Sequence, residues 1–261
     1  MGSVIRIGTC GYSYYDPGPG WQDDYESKLQ AFSETFDLVE LNRTFYDLPM
    51  VRTAERWRDE VLADFEFTVK AWQALTHPTS SPTWRNTDDF TEDQREGFGY
   101  LRPNDAIRDA WNQTREIAQT LDADIVVIQT PPSFDATDEH ESNMDELLSS
   151  IDRGGLALAW EPRGSWLDQP ERVETICDDL DLIHVTDIMR QDPISTHDFA
   201  YTRLHGLNED RYDYDYDYSS DELETVAGKL EALAADHDRV YGLFNNYEMY
   251  ANAAKLSDRL A

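Results

Sequence analysis

The stretch "VELNRTFY" (39–46) begins as a buried strand and ends in polar groups. Leu38 and Val39 lead in. Glu40 and Asn42 follow, two residues apart, and on a strand such residues share one face. A hydrophobic core does not accommodate a carboxylate there, because an unpaired buried charge costs several kcal/mol. The arrangement suits a strand whose end opens onto a site.

Working outward, the same kind of strand recurs. Eight short apolar runs are "VIRIG" (4–8), "FDLVEL" (36–41), "FEFTVK" (65–70), "DIVVIQ" (124–129), "LALAWE" (156–161), "LIHVTD" (182–187), "FAYTRLHG" (199–206) and "RVYGLFN" (239–245). Several are apolar on both faces, as strands of a covered parallel sheet are. Helical periodicity fills most of the gaps, at 27–36, 51–62, 104–121, 142–151, 169–180, 219–236 and 250–260. Ser27 suits an N-cap, and "SSDELE" has capping-box character. Only 188–198 lacks a good helix. Strands alternating with helices over this length predict an α/β fold, a (β/α)8 TIM-like barrel forming a single domain over 1–261. A doubly wound open sheet is the alternative, but no GxGxxG or Walker motif follows any strand. One insertion, 81–103, is polar and punctuated by Gly and Pro. As a βα loop it would lie on the active face, as a lid or an acidic excursion.

The chain carries 53 acidic and 22 basic residues in 261, a formal net charge of −31. Asp outnumbers Glu 33 to 20, and Arg outnumbers Lys 18 to 4. The charge is spread along the sequence. A solvated acidic surface with few lysines resembles proteins of salt-in halophiles, in which molar salt screens self-repulsion. An anionic substrate stays compatible with this balance, because a site can be locally basic. The two cysteines, Cys10 and Cys177, make no disulfide framework and fit a reducing compartment. No apolar run is long enough for a transmembrane helix, and "MGSVIRIGTCG" lacks a signal-peptide pattern. The expectation is a cytoplasmic protein with no membrane partner.

The residues at the strand ends are Thr9 and Cys10, Glu40 and Asn42, Lys70, Gln129, Glu161 and Arg163, Asp187, Arg203 and His205, and Asn245 and Asn246. In a parallel barrel these ends meet at one mouth, where this fold builds its sites. Lys70 is notable in a chain that nearly avoids lysine. A desolvated Lys loses its proton and serves as base or Schiff-base former, which Arg cannot do. Glu40 and Glu161, if both point inward, form a candidate acid/base pair. Arg163 and Arg203 could clamp a carboxylate or phosphate. The bland counterpart is that each Arg neutralises a Glu. The six histidines show no tight ligand spacing, so no cofactor or metal is expected. A divalent ion held by His77, Glu161, Asp187 and His205 stays an alternative. His184, in mid-strand, reads as a core histidine. Cys10 has no identifiable His partner. "RYDYDYDY" (211–218) is either a solvated loop or an aromatic platform. The prolines of "QTPPSF" (129–134) fix a turn, with a cis bond allowed.

Taken in order, "GTCGYSY", "VELNRTFY", "FTVKAWQALTH", "IQTPPSF", "WEPRGSW", "YTRLHG" and "LFNNYEMYANAAKL" resemble the YecE-like family, a domain of unknown function numbered seventy-two in its series. The resemblance spans 7–256 and implies a TIM-like barrel with no established reaction. The family pattern falls on Gly8, Thr9, Gly11, Glu40, Asn42, Thr44, Phe45, Tyr46, Lys70 and His77. It continues through Gln129, Pro131, Pro132, Glu161, Arg163, Trp166, Arg203, His205, Gly206, Asn245 and Asn246. The chain departs from it in "GTCGY" for "GTSGW", in Gly164 where members usually carry His, in Tyr247 where Asp is frequent, and in the 81–103 insertion.

These readings converge on an enzyme that hydrolyses or isomerises a small polar or anionic substrate, sugar-like or phosphorylated. Glu40, Lys70 and Glu161 form the expected catalytic set. Thr9, Asn42, Tyr46, His77, Gln129, Arg163, Arg203, His205, Asn245 and Asn246 form the expected substrate-binding set. A non-catalytic small-anion-binding or regulatory barrel is the alternative. A nucleic-acid-processing protein ranks last, since no basic stripe is present in the sequence.

Overall fold

Eight parallel strands close into a barrel in chain order: β1 Val4–Thr9, β2 Leu38–Leu41, β3 Glu66–Lys70, β4 Ile125–Gln129, β5 Ala157–Glu161, β6 Leu182–Thr186, β7 Phe199–Leu204 and β8 Arg239–Phe244. They appear in a computed structural model that describes residues 3–85, 90–211 and 213–261. The β1–β8 pairing, Val4 against Arg239 through Thr9 against Phe244, completes the ring. All eight expected strands are present.

Around them run α1 Lys28–Ser33, α2 Arg43–Tyr46, α3 Val51–Asp59, α4 Glu92–Gly97, α5 Asp105–Thr120, α6 Asp138–Ser150, α7 Pro170–Asp179, α8 Ser220–Leu233 and α9 Met249–Leu260. Polar side chains cap the starts of several of them. Ser27, Asn104 and Thr137 accept the N3 amides of α1, α5 and α6, and Ser219 with Glu222 closes a capping box on α8. Each such cap stabilises its helix by about 0.5–2 kcal/mol. The helices lay apolar stripes on the outer face of the barrel, as α5 does with Ile107, Trp111 and Ile117. No helix lies between β6 and β7 among the described residues, as expected. No helix among them is long and apolar enough to cross a membrane.

Strand alternation sorts the two faces. Val39, Phe67, Val126, Leu158 and Leu182 join the layer under the helices, whereas Leu38, Ile125, Val127, Ala159 and Ile183 form a separate apolar plug. That plug occupies the lower barrel interior. Moving two residues along the same inward face reaches Glu40 on β2, Gln129 on β4 and Glu161 on β5. Charged and amide groups therefore gather in the layer nearest the C-terminal mouth, with the hydroxyls of Thr68 and Tyr201 one layer below.

Three details differ from the sequence reading. Asn42 is not on the strand: β2 stops at Leu41, and Asn42 turns into αR geometry to start α2. No peptide bond is cis among the described residues, so Pro131 and Pro132 are trans. The 81–103 insertion contains a 3-10 turn, Pro82–Trp84, and α4, while its residues 86–89 lie outside the described residues. It has a small core of its own, in which Trp84 stacks on Phe98 at 5.9 Å and meets Phe90 edge-on at 4.8 Å.

Candidate functional site

Arg203, on β7, organises the mouth. Its side chain is 1% exposed, so its charge must be met inside the protein. Nη2 donates to Glu40 Oε1 at 2.8 Å and reaches Asn42 Oδ1 at 3.4 Å, while Nη1 donates to Glu161 Oε2. The remaining carboxylate oxygens are also filled. Tyr201, two residues before Arg203 on the same face, donates to Glu40 Oε2 at 2.9 Å, and Thr68 in turn meets the Tyr201 hydroxyl at 2.8 Å. Arg163 donates to Glu161 Oε1 through Nε at 3.1 Å and Nη2 at 3.0 Å. Gln129 Nε2 donates to Glu161 Oε2 at 2.9 Å. A buried ion pair is best tolerated when its lone pairs and protons are met; here the four carboxylate oxygens are, whereas Arg203 Nε is buried without a hydrogen-bond partner. Burial pushes the Glu161 carboxyl up, but Arg203 and then Arg163 overcome it and hold the group well below the usual carboxylate range.

Lys70 sits beside this network. Nζ donates to Gln129 Oε1 at 3.0 Å and lies 4.2 Å from the centre of the Phe45 ring. Among the described residues no carboxylate oxygen comes within ion-pair distance of it. Burial, then the Arg203 guanidinium, push its pKa down to about 7, against the pull of Glu40. The helix α2 fixes this arrangement. Thr44 donates to the Lys70 carbonyl at 2.6 Å, and Phe45, next in the helix, supplies the ring.

Above these groups opens a cavity of about 300 Å3. Lys70, Arg163 and Arg203 give it three cationic groups, and Asn42, Gln129 and Asn245 give it amides. No carboxylate lines it among the described residues. Glu40 and Glu161 lie behind the cations, neutralising them from the protein side. In a chain of net charge −31, the described lining of this pit presents basic side chains and amides and no carboxylate.

The other expected residues fall around this pit. Tyr46 and His77 line it. His77 is buried, bonds Thr76 Oγ1 through Nδ1 at 2.7 Å, and is pushed by burial and by Lys70 down to about 3, so it is neutral. Asn246 faces an adjoining groove instead. His205 lies on the far side of Arg203 in a void of about 50 Å3, where burial pushes its pKa down to about 3. Thr9 is fully buried and donates to the Gly11 carbonyl at 2.8 Å, lining neither the pit nor the groove. His205 Nδ1 is 3.9 Å from Asp187, but no three His, Cys, Asp or Glu side chains among the described residues are placed to hold a metal ion. His184 is a core histidine whose Nδ1 accepts the Ile194 amide at 3.3 Å. Sequence reasoning passed over Tyr201 and Thr83, named Phe45 only as part of the family pattern, and covered Tyr214 only within the 211–218 stretch; Phe45, Thr83 and Tyr214 line the pit. For Tyr201 the signal was available: it shares the inward face of "FAYTRLHG" with Arg203.

The comparisons with known proteins fit this barrel. The chain is 25% identical to UPF0759 protein YunF of Bacillus subtilis (strain 168) over 273 residues, covering 93% of this chain and 89% of that one. A DUF72 family protein from Thermotoga maritima MSB8 superposes with a TM-score of 0.72 at 24% identity, covering 98% of this chain and 99% of the other. A D-tagatose 3-epimerase-like protein shares the fold with a TM-score of 0.57 at 18% identity, over 90% of this chain and 91% of that one. The family profile described as "Protein of unknown function DUF72" matches residues 6–261, and the chain belongs to that family.

Proposed function

We propose that the chain is an enzyme that moves a proton on a small, polar, anionic substrate, by isomerisation or hydrolysis. The observation that carries this reading is the basic pit of Lys70, Arg163 and Arg203 in an otherwise strongly acidic protein. Its volume suits a small molecule. The arginines, backed by Glu40 and Glu161, present a fixed positive face to a carboxylate or phosphate. Lys70, with its pKa near neutrality, takes up and returns the proton. Asn42, Gln129 and Asn245 orient hydroxyl or carbonyl groups. In this scheme Glu40 and Glu161 are positioning residues, since Arg203 occupies an oxygen of each. No cofactor is invoked.

The test is incubation with a panel of sugar acids and sugar phosphates in D2O. Expected is solvent deuterium at a carbon of one compound by NMR, or release of its phosphate. Lys70→Met should lower the rate by roughly 10²–10⁴-fold, the usual worth of a general acid–base group. Turnover that survives this substitution would sink the proposal. The saturated carboxylates favour one other reading, a non-catalytic anion-binding barrel. It expects binding without turnover, retained in Lys70→Arg.

A further inference from the structure

Next to the basic pit lies a second cavity of about 470 Å3. The two share Asn42, Tyr46, Tyr214 and Asn245 as a common wall, so they are two lobes of one cleft. The second lobe differs in chemistry. Among the described residues its one basic side chain is the exposed Arg43, and its surface is largely carbon, with tyrosines and Met249 in the lining. Tyr14 is 87% exposed, Tyr247 73% and Tyr46 56%. Exposed large apolar surfaces gathered at one place mark a binding site more often than scattered ones do.

Two amides sit where the lobes meet. The Asn245 side chain makes no hydrogen bond to the described residues, and it lines both lobes. Asn246 is 3% exposed, and its Nδ2 is used twice, on the Tyr216 carbonyl at 2.7 Å and on Asn252 Oδ1 at 2.8 Å. Its Oδ1 is buried without a partner, and the residue lines the tyrosine-lined lobe. A buried acceptor left unsatisfied costs about 1–3 kcal/mol, which a ligand hydroxyl would recover where a small side-chain shift opens that oxygen to the lobe. Aromatic faces with hydrogen-bonding groups at their edges suit a ring that is apolar on its faces and hydroxylated around its rim.

We infer that the tyrosine-lined lobe is a subsite for a glycosyl ring, and that the natural substrate is an acidic sugar carrying a further sugar residue. This rests on the reading of the pit as the anion site. The acid group enters the pit, the attached ring lies against Tyr14 and Tyr247, and its hydroxyls meet Asn245 and Asn246.

The test compares gluconate, an acid head alone, with lactobionate, the same head bearing a galactosyl ring, by isothermal titration at one salt concentration. Expected is tighter binding of lactobionate on the order of tenfold, for the apolar area the ring buries. In Tyr14→Ala/Tyr247→Ala, both exposed positions, the ratio of the two affinities should fall toward one. Lactobionate binding no better than gluconate in the wild type, including no binding of either, overturns the subsite. So does a ratio that the double variant leaves intact. Absence of any deuterium incorporation, with the wild type still preferring lactobionate and the double variant losing that preference, would overturn only the catalytic reading and leave the subsite standing.

Discussion

Lys70 is the residue on which stability and activity pull apart. Its pKa is pushed down to about 7 in the folded protein, against about 10.4 in an unfolded chain. Between those values the unfolded chain binds more protons, so stability rises with pH across about 7 to 10. Below pH 7 the ammonium is buried at full cost. Lys70→Met should therefore flatten this part of the pH profile and raise stability at pH 6–7 by up to a few kcal/mol, while removing turnover. Urea denaturation at several pH values checks it, and an unchanged slope for the variant would count against a depressed lysine. The position of Lys70 at the mouth was legible because strand alternation placed it there and composition made it rare. Its partners were not legible. Alternation states which face a side chain takes, not which groups meet across the barrel, and Arg203 reaches Glu40 across 163 residues of sequence and Glu161 across 42.

At the scale of elements, the eight strands could be read from sequence because a covered parallel strand is apolar on both faces. The long helices were legible from their period. The four-residue α2 was not, since it is too short to show one. Yet it places Phe45 under Lys70 and bonds the Lys70 carbonyl. The loop after β5 shows a further departure. Gly164 has φ +63°, and a Cβ there would lie 2.5 Å from the Pro132 carbonyl oxygen. A side chain such as the histidine that the family resemblance suggests here does not fit the loop as it stands. Gly164→Ala should cost roughly 1–3 kcal/mol from backbone strain alone, and more if Pro132 cannot shift. It should also weaken anion binding, because Arg163 is the preceding residue. A lowered urea midpoint with an unchanged m-value is the expected signature; an unchanged midpoint would show that the loop adapts freely.

For the whole molecule, a formal charge of −31 means that repulsion opposes compactness wherever salt is dilute. Raising ionic strength from about 0.1 M to about 1 M shortens the Debye length from about 10 Å to about 3 Å. The thermal midpoint should rise with potassium chloride over that range and not with an equivalent amount of a neutral osmolyte such as glycerol beyond its ordinary effect. A midpoint indifferent to salt would remove the halophile-like reading. The same comparison separates two parts of the cleft, since screening weakens charge-based capture at the surface and leaves aromatic contact intact. The Glu40–Arg203–Glu161 arrangement has a consequence for how such a sequence can drift. Loss of Arg203 leaves Glu40 buried without its cation, at a cost of about 3–5 kcal/mol, a large part of what holds a typical domain folded. Tolerated change there must come as simultaneous replacements on different strands, which single mutational steps do not provide. Tyr14 and Tyr247, exposed on the rim, carry no such constraint and can be exchanged one at a time. The floor of the cleft is thus historically frozen while its rim is free to explore, so descendants of one ancestor could inherit the same chemistry and acquire different ligands.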